Sequence, residues 1–335
     1  MPSLEQGSHR IVIAGASSLL GAELRSLLEE SRFAGAEFRL VDEETAAGVL
    51  TEAGGEPAVI QPVEANTFDR AGKIFFTGSA DFTRANLGAA RASNARIIDL
   101  SGAMAGEDVA MSWFPKLDAL HGRNFPKDAR VFSIPSAAAA SAASLTLGLL
   151  KIGVSRLVVI CFQAVSEAGR AGIEELETQT GQLLSFQGMG QPVFDSQVAF
   201  NLLDRFGPGS KHKLHDVRER LRTETKACVG KKSVMPALQV IHAPVFYGSA
   251  FAACAELVPG TTLDQISAAC ENAGLVISPD GEAGPSNVSV AGEKVAHLAK
   301  PEEDPARPGA WWFWGAADNI RLPAANAVKL AEMLP

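Results

Sequence analysis

The turn at residues 15–21, which reads GASSLLG, is the first place in this sequence where chemistry could occur. It follows a β-branched run and precedes a helical pattern, and in that context a glycine-rich turn can hold a pyrophosphate. The N-terminus of a helix offers unpaired N–H groups and a positive dipole end to an anion. Candidate contacts are Gly15, Ser17, Ser18, Leu19 and Gly21. Alternatively, the two glycines only permit a tight turn and close helix packing.

The second strand pattern ends at Asp42, about 20 residues beyond this turn, with Glu43 next. An acid at that distance can accept a hydrogen bond from a ribose 2′-hydroxyl, and it repels a 2′-phosphate. If a dinucleotide binds, we therefore expect NAD rather than NADP because of Asp42. The sequence does not make any cofactor obligatory.

The histidines and cysteines are the candidate metal ligands of this sequence. His212 and His215 have helical i, i+3 spacing, with Asp216 adjacent. Two such ligands make a weak metal site, and the segment KHKLHDVRERLR is more typical of a basic, solvated helix. The four cysteines form no CxxC pair and match no zinc spacing, so we expect buried thiols in a reducing cytoplasm and no metal.

The elements around the turn predict a doubly wound α/β domain. Buried parallel strands are expected at 10–14, 37–42, 73–77, 96–100 and 131–134, with helices at 19–30 and 81–93. A helix over 138–150 then leads into a different pattern. That second pattern has a strand at 154–165, a helix at 169–187, antiparallel strands within 233–257, a polar linker at 300–309, a buried tryptophan-rich strand at 311–314 and a closing helix at 324–334.

Composition limits the class of protein. A chain of 335 residues predicts about two domains at roughly 150 residues each. The net charge of −8 and the lack of a Lys/Arg cluster argue against nucleic-acid binding. The uncharged stretch 131–150 is interrupted by Pro135 and is rich in Ala and Ser, which favours a buried helix over a membrane span. The first residues lack the apolar core of a signal peptide, so a cytoplasmic protein is expected.

Residues 161–176, CFQAVSEAGRAGIEEL, resemble the catalytic-domain strand and helix of the aspartate-semialdehyde dehydrogenases. Residues 314–321, WGAADNIR, are similar to the family's closing motif, so the resemblance covers nearly the whole chain. It implies an α/β fold with a Rossmann-like dinucleotide-binding domain, residues 1–135 together with 316–335. An inserted α+β dimerisation and substrate domain, 136–315, would form a homodimer through its sheet.

The resemblance also implies a chemistry. A cysteine thiolate attacks the aldehyde, hydride leaves to the nicotinamide, and phosphate cleaves the thioester. A histidine acts as base, one arginine holds the substrate carboxylate, another holds phosphate, and a glutamine orients the substrate. Gly78 and Asn319 match further family motifs and are expected beside the dinucleotide.

Most of the family's reactive positions are changed in this sequence. The family's Asn-Pro-Asn-Cys segment reads IPSA, which puts Ala137 at the nucleophile. The motif R-x-P-V-x-x-x-H reads HAPVFYGS, which puts His242 at the carboxylate-binding arginine and Ser249 at the base. Only Gln163 matches outright. The remaining changes are Ala105 at the phosphate arginine, Arg220 as the surviving substrate-side cation, and Glu167 in place of a glycine. The chain thus resembles the family's Usg-type homologues, which lack the cysteine.

Three other side chains could replace the missing cysteine as the nucleophile. Cys161 precedes Gln163 by two residues, but its apolar neighbours favour a small buried hydrophobe. Ser136 is more typical of a helix N-cap than of a nucleophile, and Ser249 would need His242 to approach it in space.

Three functional interpretations fit the sequence. The first is a catalytically inactive, dimeric homologue that binds NAD. The second is an active NAD(P)-dependent oxidoreductase that uses altered residues on an aldehyde or acyl phosphate. The third is an interaction protein that pairs with an active paralogue.

Overall fold

The computed structural model describes residues 10–230, 234–279 and 281–335. The first residues of the chain and Ser233, where the predicted 233–257 segment begins, lie outside them. The helices are α1 (Leu19–Glu29), α2 (Ala80–Ala92), α3 (Leu117–His121), α4 (Ala137–Leu150), α5 (Gly169–Leu184), α6 (Leu214–Val229), α7 (Leu263–Asn272) and α8 (Arg321–Met333).

The strands form two seven-stranded sheets and one small hairpin. They are β1 (Arg10–Ala14), β2 (Glu37–Asp42), β3 (Leu50–Ala53), β4 (Glu56–Val59), β5 (Gln61–Pro62), β6 (Ala71–Phe76), β7 (Arg96–Asp99), β8 (Met111–Ser112), β9 (Val131–Ser133), β10 (Arg156–Gln163), β11 (Ala237–His242), β12 (Ser249–Glu256), β13 (Val276–Ile277), β14 (His297–Leu298), β15 (Glu302–Glu303) and β16 (Ala310–Ala317).

The chain divides into two compact units. The first unit comprises the described residues of Met1–Phe114, Phe125–Ile134 and Pro323–Pro335, and the second comprises those of Pro115–Asn124 and Pro135–Leu322. The sequence-based domain boundaries, 1–135 with 316–335 against 136–315, assign residues 115–124, 135 and 316–322 to the dinucleotide-binding domain, whereas the structure groups them with the second unit. Those boundaries stay a prediction about folding domains.

The first unit has a parallel sheet in the order β5-β2-β1-β6-β7-β9-β8. Side chains alternate across its strands, as the period of a strand requires. Ile11 and Ile13 pack with α1 and with the residues of α8 that belong to this unit, whereas Val12 and Ala14 pack with α2 on the opposite face. Helices therefore cover both faces, and the predicted doubly wound α/β class is confirmed.

The second unit has a mixed sheet in the order β11-β10-β12-β16-β14-β13, with β15 beside β16. One face is buried under α4, α6 and α7, because Leu157, Val159 and Cys161 point into that core. The next residues along β10, Val158, Ile160 and Phe162, are only partly buried, so the described residues cover the other face of the sheet less completely.

Helix α4 forms because alanine has the highest helix propensity and Ser136 caps the first turn, with its Oγ accepting from Ala139 N at 3.4 Å. Nearly all of its residues are buried. This helix accounts for the uncharged stretch that was predicted to be buried. Within the described residues, none of the helices has both the length and the apolar character needed to cross a bilayer.

Some sequence predictions for the second unit were wrong. Within 233–257, β11 runs parallel to β10, and only β12 is antiparallel. Residues 300–309 are not a plain linker, because β15 pairs with β16 there. The tryptophan-rich strand is buried on one side only, since Trp312 and Trp314 are 49% and 40% exposed. Residues 185–187 fall beyond α5, which ends at Leu184.

The glycine turn between β1 and α1 depends on close backbone packing. Gly15 has φ +95°, and a Cβ there would lie 2.1 Å from the backbone N of Gly78. A Cβ at Gly21 would lie 2.5 Å from the carbonyl oxygen of Gly15. The turn therefore requires glycine for steric reasons alone.

Replacing Gly15 by alanine should lower the free energy of unfolding by about 2 kcal/mol or more, because the left-handed backbone and the clash with Gly78 both oppose a side chain. Chemical denaturation measures the change. Gly35→Ala is the matched control in the same unit, since a Cβ at Gly35 meets nothing within 4 Å. Equal midpoints for the two variants would contradict the packing argument.

Candidate functional site

The first turn of α1 has an open anion-binding geometry. Ser18 is its N-cap: the Oγ accepts from Gly21 N at 2.9 Å and donates to the carbonyl oxygen of Thr77 at 3.0 Å. The backbone N–H groups of Leu19 and Leu20, in the described part of the chain, have no protein acceptor. Two free N–H groups at a helix N-terminus suit a phosphate, so the residues present here fit a dinucleotide.

Asp42 lies at the carboxyl end of β2, beside the glycine turn. Its Oδ2 accepts from Ser17 N and its Oδ1 from Glu43 N, both at 2.8 Å, and it is only 6% exposed. The carboxylate therefore ties the glycine turn to the end of β2. A cleft of about 500 Å³ lies beside it, lined by Asp42, Glu43, Glu44, Pro62, Val63 and Phe82.

The second unit contains a cavity of about 110 Å³. It lies where β10 and β12 meet the starts of α4 and α6. Its polar lining consists of Ser136, Cys161, Gln163, Glu167, His212, Arg220 and Ser249. The structure therefore brings together most of the second-unit residues that the sequence had singled out.

Gln163, His242 and Ser249 lie in one row across the sheet, because Gln163 pairs with His242 on β11 and with Ser249 on β12. Their roles differ. Gln163 and Ser249 line the cavity. His242 is buried, and its Nε2 lies 3.2 Å from the carbonyl oxygen of Val198. Burial lowers the pKa of His242, so the ring is held as a neutral packing element and not as a carboxylate-binding cation.

Ala137 is the first residue of α4 and is 1% exposed. Its neighbour Ser136 donates from Oγ to the Oε2 of Glu224 at 2.5 Å, and the backbone N of Ser136 donates to the same oxygen at 3.0 Å. Glu224 thereby holds the start of α4. No thiol stands at this helix N-terminus.

Arg220 reaches the cavity from α6, and its Nε donates to the Oε1 of Glu224 at 2.7 Å. The Glu224 side chain is 1% exposed, so its buried charge needs a partner, whereas the Arg220 side chain is 42% exposed. Sequence reasoning found Arg220 but missed Glu224. The available signal was their i, i+4 spacing on a predicted helix.

Glu167 is fixed from the other side of the cavity by Asn319. The Nδ2 of Asn319 donates to the Oε1 of Glu167 and to the Oγ of Ser166, both at 3.0 Å, and its Oδ1 accepts from Gly248 N. The side chain of Glu167 faces open space, but the protein around it excludes much of the bulk water. This desolvation raises the pKa of Glu167, opposed by Asn319 and by the charge of Arg220.

The remaining candidates do not form a second site. His212 precedes α6 and lines the cavity, whereas His215 lies on α6 beside Asp216, so the two imidazoles do not share one helix face. Among the described residues, no group of three or more potential ligands could hold a metal ion. Ala105 lies in the turn after β7, where its N donates to Gly102 O.

Comparison with known proteins matches both units. A family model for the semialdehyde dehydrogenase NAD binding domain matches residues 10–125, and one for the semialdehyde dehydrogenase dimerisation domain matches residues 147–322. A "USG-1 protein homolog" of Pseudomonas aeruginosa is 28% identical and covers 97% of both chains. An "Aspartate-semialdehyde dehydrogenase" of Rickettsia bellii is 24% identical with the same coverage.

Solved structures of similar proteins have the same fold as this chain. A probable aspartate-semialdehyde dehydrogenase from Pseudomonas aeruginosa superposes with a TM-score of 0.84 at 26% identity, covering 97% of each chain. Aspartate semialdehyde dehydrogenase II from Vibrio cholerae, at 22% identity with 97% of each chain covered, gives 0.85 and supports the fold alone.

Cys161 should be unreactive in the folded protein. Burial raises the pKa of its thiol to about 12. An ordinary cysteine has a pKa near 8.5, so at pH 8 the thiolate fraction of Cys161 is lower by roughly 10³-fold. We expect slow alkylation by iodoacetamide, measured by peptide mass spectrometry, with a rate that rises with pH. The urea-unfolded chain is the control, and fast labelling of native Cys161 would contradict the burial argument.

Proposed function

Because the chain belongs to the semialdehyde dehydrogenase family, we propose that it is a homodimeric member that binds NAD and a small polar ligand without forming the family's covalent acyl intermediate. The observation that carries this proposal is the methyl group of Ala137 at the first residue of α4. The family resemblance puts the nucleophilic thiol at that residue.

The positions around Ala137 support the same conclusion. Ser249 occupies the expected place of the general base, and a hydroxyl cannot accept a proton at neutral pH as an imidazole does. His242 occupies the expected place of the carboxylate-binding arginine, and its Nε2 is directed to a backbone carbonyl. Loss of a covalent nucleophile alone has cost on the order of 10⁶ in rate where this was measured.

Cys161 is the thiol that lines the cavity, and its raised pKa of about 12 makes it a poor replacement. Covalent capture of an aldehyde would need its thiolate. A bound dinucleotide would supply a hydride acceptor, but without a thiolate no thiohemiacetal would form from which the substrate hydride could leave.

The cavity keeps groups that suit reversible binding of a small anion. Arg220 is oriented by Glu224, and Gln163 and Ser249 add an amide and a hydroxyl. A guanidinium held at a fixed angle is well suited to a carboxylate or phosphate. We therefore assign ligand binding to Arg220 as its role.

Activity measurements test the proposal. With aspartate semialdehyde, phosphate and NAD or NADP, we expect no reduced nucleotide above background. The double variant Ala137→Cys with Ser249→His should raise the rate measurably, because it returns a thiol to a helix N-terminus and an imidazole beside it. A wild-type rate comparable with that of a dehydrogenase, abolished by Cys161→Ala, would contradict the proposal.

The less buried face of the sheet in the second unit supports a homodimer. Trp312 and Trp314 are exposed on β16, and the ring of Phe162 lies 5.9 Å from that of Trp314. The partly buried residues Val158, Ile160 and Ala252 continue this apolar surface across the sheet. The matched family domain is described as a dimerisation domain, which supports a second copy of this chain as the partner.

Replacing Trp312 and Trp314 by glutamate should shift the protein from dimer to monomer, because each change places a charge in a desolvated contact. Analytical ultracentrifugation at micromolar concentration measures the mass. Val288→Glu is the control, since Val288 is 76% exposed and lies outside the sheet. A monomeric wild-type protein that instead binds an active relative would favour the paralogue interpretation.

A further inference from the structure

The cleft beside β2 contains two neighbouring acids with different surroundings. Asp42 is almost fully buried, and each of its carboxylate oxygens already accepts a backbone N–H, from Ser17 and from Glu43. Its contacts hold the glycine turn in place. A carboxylate used in this way is poorly placed to read the hydroxyl groups of a ligand.

Glu43 is the exposed neighbour. Its backbone is extended, with φ −57° and ψ 151°, and its side chain lines the cleft. The Oε1 lies 3.4 Å from the Oγ of Ser79, the N-cap of α2, so the carboxylate extends from the end of β2 toward the first turn of α2. This long contact leaves the carboxylate able to accept stronger hydrogen bonds.

The rest of the cleft fits an adenosine group. Phe82, Val63 and Pro62 provide apolar walls for a flat base, and the charged residues of the lining are all acidic: Asp42, Glu43 and Glu44. A ribose with both hydroxyls can donate to a carboxylate here. A 2′-phosphate would meet negative charge without a lining cation.

We propose that Glu43, and not Asp42, is the residue that selects NAD over NADP in this protein. The inference rests on the proposed dinucleotide binding and adds the specificity-determining residue. Glu43 accepts hydrogen bonds from the ribose hydroxyls and repels a 2′-phosphate, while Asp42 supports the turn that contacts the pyrophosphate.

Titration calorimetry of the full chain with NAD and with NADP tests this assignment. The wild-type protein should bind NAD at least tenfold more tightly than NADP. Glu43→Gln should weaken NAD binding by about tenfold, the usual effect of losing a charged hydrogen bond. Glu43→Arg should reverse the preference, because a guanidinium pairs with the 2′-phosphate.

Two control variants separate a hydrogen bond made by Glu43 from a general effect of charge and from damage to the glycine turn. Glu56→Gln removes an exposed negative charge of the same unit outside this cleft and should leave NAD affinity within about twofold, since the proposed hydrogen bond is made by Glu43. Asp42→Asn should weaken NAD and NADP by the same factor and lower the stability of the fold, because it disturbs the turn.

The outcomes distinguish the inference from the function on which it rests. A wild-type protein that binds neither nucleotide would overturn dinucleotide binding and this inference together. Wild-type binding of NAD with an unchanged NAD/NADP ratio in both Glu43 variants would overturn the inference alone. If the NAD/NADP affinity ratio changes in Asp42→Asn instead, Asp42 is the residue that selects NAD.

Discussion

The cavity in the second unit depends on the interactions that the buried carboxylate of Glu224 makes. A charge removed from water costs several kcal/mol unless ionic and hydrogen-bonding partners replace the solvent. Here Arg220 supplies the opposite charge, and Ser136 supplies an N–H and an O–H. One group therefore sets both the start of α4 and the direction of Arg220. The cation reaches the cavity already positioned, so little rotamer entropy remains to be lost when an anion binds.

The two candidate sites tolerate substitution very differently. Gly15 cannot carry a side chain, because Gly78 occupies the space, and the turn would have to open to accept one. At Ala137 the fold requires only a small helix-forming residue below the Ser136 cap, and alanine meets that requirement better than cysteine does. A small side chain at this residue thus keeps the packing of α4 intact.

Much of the fold could be predicted from the sequence, because its patterns are local. Strands β1 and β2 have the predicted bounds, and α1 ends one residue earlier than expected. Predictions failed where long-range pairing decides the outcome: the parallel pairing of β11 with β10 and the pairing of β15 with β16 leave no local pattern. Prediction of the site from the sequence is limited in the same way. Spacing identified Asp42, but spacing cannot tell a buried carboxylate that holds a turn from an exposed neighbour that faces a cleft.

The charges of the cavity are linked through space. Desolvation raises the pKa of Glu167, and the positive charge of Arg220 opposes that rise. An anion bound to Arg220 would neutralise this opposing charge, and it would also repel an ionised Glu167. Both effects favour the protonated form, so anion binding and protonation of Glu167 support each other. The protonated acid could then donate a hydrogen bond to the same ligand. The cavity can in this way discriminate among small polar molecules, by their charge and by the protons that they bring.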